Sequence, residues 1–417
     1  ERDAAYFSLT CGYLFGNRTI VSGITRWRVG QYLKIANQQM AIRSYHNLDN
    51  IPDRELSLQD GLEQADVLFR QAISREFEKD REYGFTPLCS LSGGLDSRMT
   101  TWVAHEMGYT DMNNLTFAKS GSPDMTIAEQ IIKKLNHHWI FLELDDARFM
   151  TELEELTRIS EGAISYLTIS HGKYAIDQVD FSNFGVMHTG QLGDVIMGSF
   201  CTTNEYGTPM FLRATSNHLI HKLPAEELDQ YGNLELMLFQ NRAFNCALSG
   251  NLSIQQYSEV TSPFMDVDYF DFCMTIPLEF RTHHRLYKQW ILQKYPGAAA
   301  YKWEKLGRKI TAKTISIRGK DVTISNLPDF IVKGIRYNLD REGYRRQGDN
   351  RGMNPFQYWY NTNETVHQYI EQYFRENIDL ILDKEIRQDC EHLFTTGNIY
   401  EKAMVISLLA VIKLYWT

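Results

Sequence analysis

One stretch constrains this chain more than any other. Thr86–Ser97, TPLCSLSGGLDS, is a short apolar run that stops at Gly93-Gly94 and gives way to a helical pattern. A strand that ends at two glycines and restarts as a helix leaves unpaired backbone N–H groups at the helix N-terminus, pointing into the turn. Such a turn is an anion site. Gly93 and Gly94 let the backbone approach a phosphate with no Cβ in the way, Ser92 and Ser97 add hydroxyls, and Asp96 can hold the Mg²⁺ that accompanies pyrophosphate. The spacing is not that of the G-x-x-x-x-G-K-[ST] nucleotide loop, so no lysine is placed for work on a γ-phosphate.

Strand and helix signals alternate around this turn. Leu62, Ala65, Leu68, Ala72, Ile73 and Phe77 recur near helical spacing and predict a helix over Leu58–Lys79. Met99, Trp102, Val103 and Met107 predict a second helix, ended by Gly108. Asn114–Ala118 and Trp139–Leu144 read as strands flanking a helix over Thr126–Leu135, and Gly185–His188 as a strand before Gly190. The fold class implied is α/β, a doubly wound and mostly parallel sheet with helices on both faces. Its ligand should sit outside the carboxyl ends of the strands, where the glycine turns fall. Before this region, Tyr13–Ile35 contains short β-prone runs separated by Gly16-Asn17, Gly23 and Gly30, as in an antiparallel sheet. After Gly319 the composition shifts to helix-like segments, Phe356–Arg375 and Tyr400–Trp416, with a polar, basic connection at Arg341–Arg351.

A net charge of −9 argues against a protein that coats nucleic acid or an anionic membrane. The six cysteines are scattered, with no C-x-x-C pair, which points to reduced thiols in a cytoplasm. Ala403–Trp416 is apolar but broken by Lys413 and too short to span a bilayer, so it reads as a buried terminal helix. No signal peptide is visible at the N-terminus.

Met187–Asp194, MHTGQLGD, is a second glycine turn after a strand, with Asp194 placed to reach Mg²⁺ and pyrophosphate. Ser92–Ser97 resembles the PP-loop of the ATP pyrophosphatases, which cleave ATP between its α- and β-phosphates. Together with Gly121-Ser-Pro-Asp124, Thr189–Asp194 and Glu259–Asp266, in that order, it makes the chain resemble the asparagine synthetase family. The resemblance implies a PP-loop synthetase domain of the adenine nucleotide alpha hydrolase-like type over residues 49–320, with residues 321–417 as its helical C-terminal part. Residues 1–48 are similar to the tail of an N-terminal nucleophile glutaminase domain. The residues implied to bind ATP are Ser90, Ser92, Gly93, Gly94, Asp96, Ser97, Ala118, Thr189, Gly190 and Asp194, with Asp96 and Asp194 also on Mg²⁺. Lys305, in Lys302–Gly307, matches a family lysine expected at the α-phosphate, and Lys288 matches another. Glu259 and Asp266 belong to a segment similar to the family's substrate floor. His137 and His138 match the family's helix ending and are expected to be structural, because adjacent side chains on a strand face opposite ways.

The sequence departs from the family pattern on the substrate side. Gln191 and Val195 stand where the family has glutamates, and Thr261 where it has an arginine. A neutral amide cannot take a proton from an attacking amine. Glu259 is the nearest remaining carboxylate by motif position, a candidate substitute base, and Gln191 can orient an amine. Three activities fit: an asparagine synthase-like amide ligase joining aspartate or a similar acid to ammonia from glutamine or to an amine, an adenylating ligase or cyclase of the β-lactam synthetase type, and a nucleotide-binding pseudoenzyme. A PP-loop enzyme acting on tRNA is disfavoured by the acidic balance. The expected partners are a small carboxylate and an amine donor, with neither nucleic acid nor membrane, and a homodimer is compatible.

Overall fold

A computed structural model describes residues 1–201, 203–211, 215–317, 320–324, 327–328, 331–332 and 349–416. Most of the basic connection at 341–351 lies outside the described residues. Helix α2, Leu58–Tyr83, leads into the sheet. Ser57 caps it by accepting the Asp60 N–H, and Gly84 ends it at φ 76°. Its stripe of Leu62, Ala65, Phe69, Ala72, Ile73 and Phe77 is buried, as the periodicity requires.

The central sheet comprises β3 (Leu88–Ser90), β4 (Asn113–Ala118), β5 (His138–Glu143), β6 (Val186–His188) and β7 (Glu259–Thr261), in the order β5-β4-β3-β6-β7. Every pairing is parallel. The chain builds outward from β3 through β4 to β5, then returns to lay β6 on the other side of β3. The order therefore reverses between β3 and β6, and their carboxyl ends open on the crevice where doubly wound sheets hold ligands. Both faces are covered. Leu88, Leu115 and Met187 pack with Ile176 on one side, while Cys89 joins the main core with Phe69 and Phe77 on the other.

Helix α3, Asp96–Glu106, starts directly after the first glycine turn, and Gly108 follows it at φ 96°. Helix α4 runs Pro123–Leu135, three residues longer at its start than the apolar spacing predicts. Ser122 accepts the Met125 N–H as its cap and Pro123 occupies the first turn, a start signal that hydrophobic periodicity does not register.

The N-terminal part holds the expected antiparallel pair, and an unexpected helix precedes it. Arg2–Cys11 is a buried helix, α1, packed against the terminal helix Ile399–Trp416. Its antiparallel pairing comprises β1 (Gln31–Ala36) with β2 (Gln39–Ser44) and two isolated bridges, Arg18 with Thr25 and Tyr13 with Ile164. The C-terminal part is helical as expected. Phe356–Thr362 and Glu364–Asn377 are separate helices because Asn363 leaves helical geometry and caps the second through the Val366 N–H. Ile399–Trp416 buries Ile399, Glu401 and every residue from Ala403 to Val411. Among the described residues no helix is long and apolar enough to cross a membrane. All six cysteines are free and buried.

Candidate active site

The two glycine turns meet at the sheet's switch point. Beyond Ser90 at the end of β3, the Ser92 N–H donates to Ser97 Oγ (3.1 Å), the two hydroxyls lie 3.1 Å apart, and the Gly94 N–H donates to Ser92 Oγ (3.1 Å). The serines thus brace the turn. The Gly93 N–H donates to Asp124 Oδ1 at 3.2 Å, so the aspartate of the Gly-Ser-Pro-Asp loop holds the first turn from the neighbouring strand. A Cβ on Gly93 would fall 2.9 Å from Glu304 Cβ and 3.2 Å from Asp124 Cα, which leaves no room for any other residue.

The second turn is pressed against the start of α3. A Cβ on Gly193 would lie 2.7 Å from Asp96 Cγ, and one on Gly190 would overlap the Ser97 backbone. Thr189 anchors this turn to β7, giving both its N–H (2.9 Å) and its hydroxyl (2.8 Å) to the Thr261 carbonyl. The Thr100 hydroxyl holds the Thr189 carbonyl from α3 at 3.1 Å.

Asp96 and Asp194 form the junction. The Asp194 N–H donates to Asp96 Oδ2 at 3.0 Å, and the Tyr287 hydroxyl donates to Asp96 Oδ1 at 2.8 Å. Burial, and then the charge of Asp194, hold the Asp96 carboxyl well above the usual carboxylate range. A divalent cation would relieve that cost. Two carboxylates beside amide-lined turns fit the pattern in which Mg²⁺ takes one or two protein carboxylates and fills its remaining positions with phosphate oxygens and water. Among the described residues no cluster of three or more His, Cys, Asp or Glu side chains could hold a metal ion.

The Lys302–Gly307 segment closes on the first turn. The Glu304 N–H donates to the Gly93 carbonyl at 3.3 Å. Buried Arg98 clamps the same carbonyl (2.9 Å) to those of Lys302 (2.6 Å) and Ala298 (3.2 Å). Lys305 is exposed, its Nζ 5.4 Å from the Trp303 ring centroid, and Lys288 Nζ lies 5.8 Å from the same ring. Burial, followed by the charge of Asp124, pushes the Glu304 carboxyl up to about 7.

Two expected catalytic residues are not brought to the turns. Glu259 is exposed at the amino end of β7, about 7 Å of strand before the Thr261 that anchors the second turn. Its use as a substitute base is therefore set aside. Asp266 caps the helix Val267–Thr275 through the Asp268 and Tyr269 N–H groups and pairs with Arg75 (2.8 and 2.5 Å), which gives its carboxylate a structural role. Gln191 is in the second turn, with its Nε2 donating to the Ala247 carbonyl at 3.1 Å. Val195 is buried in the wide helical turn Val195–Ser199 that follows. Ala118 is buried at the end of β4, and its carbonyl accepts the Leu144 N–H at 3.2 Å. His137 hydrogen-bonds Asn114 and His105 (both 2.8 Å), whereas His138 is exposed on β5.

The motifs do not single out Arg98, Tyr287 or Glu304 as parts of this site. Arg98 had a local signal, standing immediately after Ser97. Tyr287 and Glu304 reach the turns only through tertiary packing.

Residues 64–235 match the family model described as asparagine synthase. They form an asparagine synthase family domain. The matched stretch contains both glycine turns and the Gly-Ser-Pro-Asp loop, and it supports an ATP-dependent ligase of that family. Lys288 and Lys305 lie beyond it. A comparison with curated proteins gave no match.

Proposed function

We propose that this protein is an asparagine synthase-like amide ligase that adenylates the carboxylate of aspartate or a similar small acid and transfers the acyl group to ammonia or an amine. The observation that carries this is the Asp96–Asp194 junction, where two glycine turns from adjacent strands set a carboxylate pair beside backbone amides. In the first half-reaction a carboxylate oxygen of the acid attacks the α-phosphorus of ATP, and the bond to the bridging oxygen of pyrophosphate breaks. In the second, the amine nitrogen attacks the acyl carbon, AMP leaves with the electron pair of the acyl–oxygen bond, and the nitrogen loses a proton.

Asp96 and Asp194 would hold Mg²⁺, which supplies charge neutralisation for the departing pyrophosphate. The amides from Leu95 onward aim at that group, and Lys305 adds positive charge at the α-phosphate, where negative charge grows in the transition state. A glutaminase-like origin for residues 1–48 would account for ammonia as the amine.

One observation favours the β-lactam synthetase-like alternative with a different amine. With Gln191 tied to the Ala247 carbonyl and Val195 buried, neither position of the second turn can take the proton from ammonium. Incubation with ATP, Mg²⁺, aspartate and ammonium separates the cases. The amide ligase gives AMP, pyrophosphate and asparagine in equal amounts. AMP without asparagine supports the other amine, MgATP binding without turnover supports a pseudoenzyme, and ADP with orthophosphate overturns α–β cleavage.

A further inference from the structure

Beside the second turn lies a strained segment that the proposed chemistry does not use. His283 (φ 57°, ψ 22°) and His284 (φ 56°, ψ 36°) are consecutive non-glycine residues in the left-handed region, a conformation L side chains adopt at a cost that surrounding structure must offset. The surroundings do so on two sides. A Cβ on Gly198 would fall 2.1 Å from the Arg281 carbonyl oxygen, so the strained turn lies directly against the Val195–Ser199 helical turn. Buried Arg281 fixes it there by pairing with Glu235 and donating to the Ile196 carbonyl at 3.2 Å.

The strain puts the His284 ring inside the site's wall. His284 is only 6% exposed, its ring centroid 6.1 Å from that of Trp303 and 6.3 Å from that of Tyr287. Tyr287 is the residue that holds Asp96, and Trp303 is the ring under Lys305 and Lys288. The ring's Nδ1 is closed to solvent and has no hydrogen-bond partner. Burial, then the charges of Lys305, Lys288 and His283, with Met197 opposing, push the imidazole down to about 3. His284 is thus a neutral ring with one buried, unpaired nitrogen, Nδ1. Leaving a buried ring nitrogen unpaired is costly, and the Trp303 ring beside His284 carries two ammonium donors, Lys305 and Lys288.

We propose that His284 is a positioning residue for Lys305, its Nδ1 accepting one ammonium N–H so that the remaining two face the α-phosphate when MgATP is bound. Trp303 lies beside both groups, its ring 6.1 Å from the His284 ring and 5.4 Å from Lys305 Nζ, so the exposed ammonium reaches Nδ1 by swinging in past that ring as the nucleotide binds. The proposal rests on Lys305 working at the α-phosphate, as argued above.

Two variants separate the acceptor from the packing. H284F keeps an aromatic ring and loses the acceptor. H284N loses the ring, keeps an acceptor at nearly the same place, and tolerates the left-handed backbone. With aspartate and ammonium as probes, H284F should lower kcat for AMP release about 10–100-fold, with KM for ATP changed far less, and H284N should stay within about 3-fold of wild type. K305A combined with H284F should be no slower than K305A alone, because the histidine acts through the lysine. In ¹⁵N-histidine-labelled protein, MgATP should move the His284 Nδ1 resonance from unbonded to hydrogen-bonded, and K305A should abolish the change. The NMR readout needs no turnover, so it remains decisive if wild type releases no AMP, a result that would overturn the ligase proposal alone. An active H284F with a slow H284N, additive losses in the double variant, or an Nδ1 shift that persists in K305A would each overturn the positioning role.

Discussion

Gly190→Ala tests how the two turns are held together. A Cβ at this position would lie 2.2 Å from Ser97 N, 2.3 Å from Asp96 C and 2.7 Å from Ser97 Cα. All three are backbone atoms of the first turn of α3, so none can swing aside as the tip of a long side chain could. Reaching ordinary contact requires the turns to part by about 1 Å, an overpacking that costs about 1–3 kcal/mol. The same movement stretches the 3.0 Å bond from the Asp194 N–H to Asp96 beyond hydrogen-bond range. A hydrogen bond to this proton-holding carboxyl contributes about 0.5–1.5 kcal/mol, so a total loss of ~1.5–4.5 kcal/mol is expected. Urea unfolding followed by circular dichroism measures it, and calorimetry with MgATP should show binding weakened at least 10-fold, because the displaced groups include both proposed cation ligands. Gly172→Ala is the control. Gly172 sits in the helix Leu167–Ile176, and a Cβ added there would meet nothing within 4 Å, so alanine should stabilise by about 0.5–1 kcal/mol. A Gly190→Ala protein within about 0.5 kcal/mol of wild type, with unchanged MgATP affinity, would refute the close approach of the turns.

Two further perturbations follow from the pKa shifts. The Asp96 carboxyl is raised by burial and by Asp194, so the native state holds its proton more tightly than the unfolded chain does. Without cation, its contribution to stability is full below the unfolded value of 3.8 and is lost as pH rises through the native one. Asp96→Asn should flatten that loss, weaken MgATP binding at least 10-fold, and remove the proton release on binding that calorimetry detects in buffers of different ionisation enthalpy; undiminished release would exclude Asp96 as the cation's ligand. The histidines act in the opposite sense. Burial is the largest cause pushing His137 and His171 down to about 4 and His284 to about 3, against 6.5 for each unfolded ring. Their contribution is full above pH 6.5 and falls away as pH drops toward 4, by up to ~4 kcal/mol per pH unit when three protons are taken up on unfolding. His171→Leu should reduce the slope of stability against pH by about one proton between pH 6 and 5, and an unchanged slope would mean that His171 already binds a proton in the fold.

The parallel sheet was legible because its strands and helices leave separate marks. The stripe of α2, the glycine stops after β3 and β6, and the β–α alternation from Leu88 to His188 each follow from burying one face of an element. The helix Arg2–Cys11 was not legible. Ala4, Tyr6, Phe7, Ser8, Leu9, Thr10 and Cys11 are all buried, so the segment has no polar face and no helical period, and its state is decided by the terminal helix it packs against. The strand β7 was missed for another reason, since three residues are too few to show alternation.

That missed strand explains what went astray at the site. Residues that touch a turn through the backbone's own path, such as Gly93, Asp96, Gly190 and Asp194, are fixed by motif spacing alone. Residues from other elements depend on register. Parallel pairing sets His188 beside Thr261 and Val186 beside Glu259, so the end of β7 that meets the second turn carries Thr261. Glu259, two residues earlier, is held at the far end of the same strand. Spacing within a motif gives the distance between two residues along the chain, but not which end of a strand faces the crevice. The Thr261 side chain is itself turned from the crevice toward α2, donating to Glu76 at 2.9 Å, with Glu76 in turn 3.5 Å from His188. An arginine at 261 would have to share that buried space with His188, which already faces Asp80 at 2.7 Å. The threonine is therefore part of a polar cluster behind the sheet, and whatever reads the substrate at this edge must come from the turns themselves or from the wall built by His284, Tyr287 and Trp303.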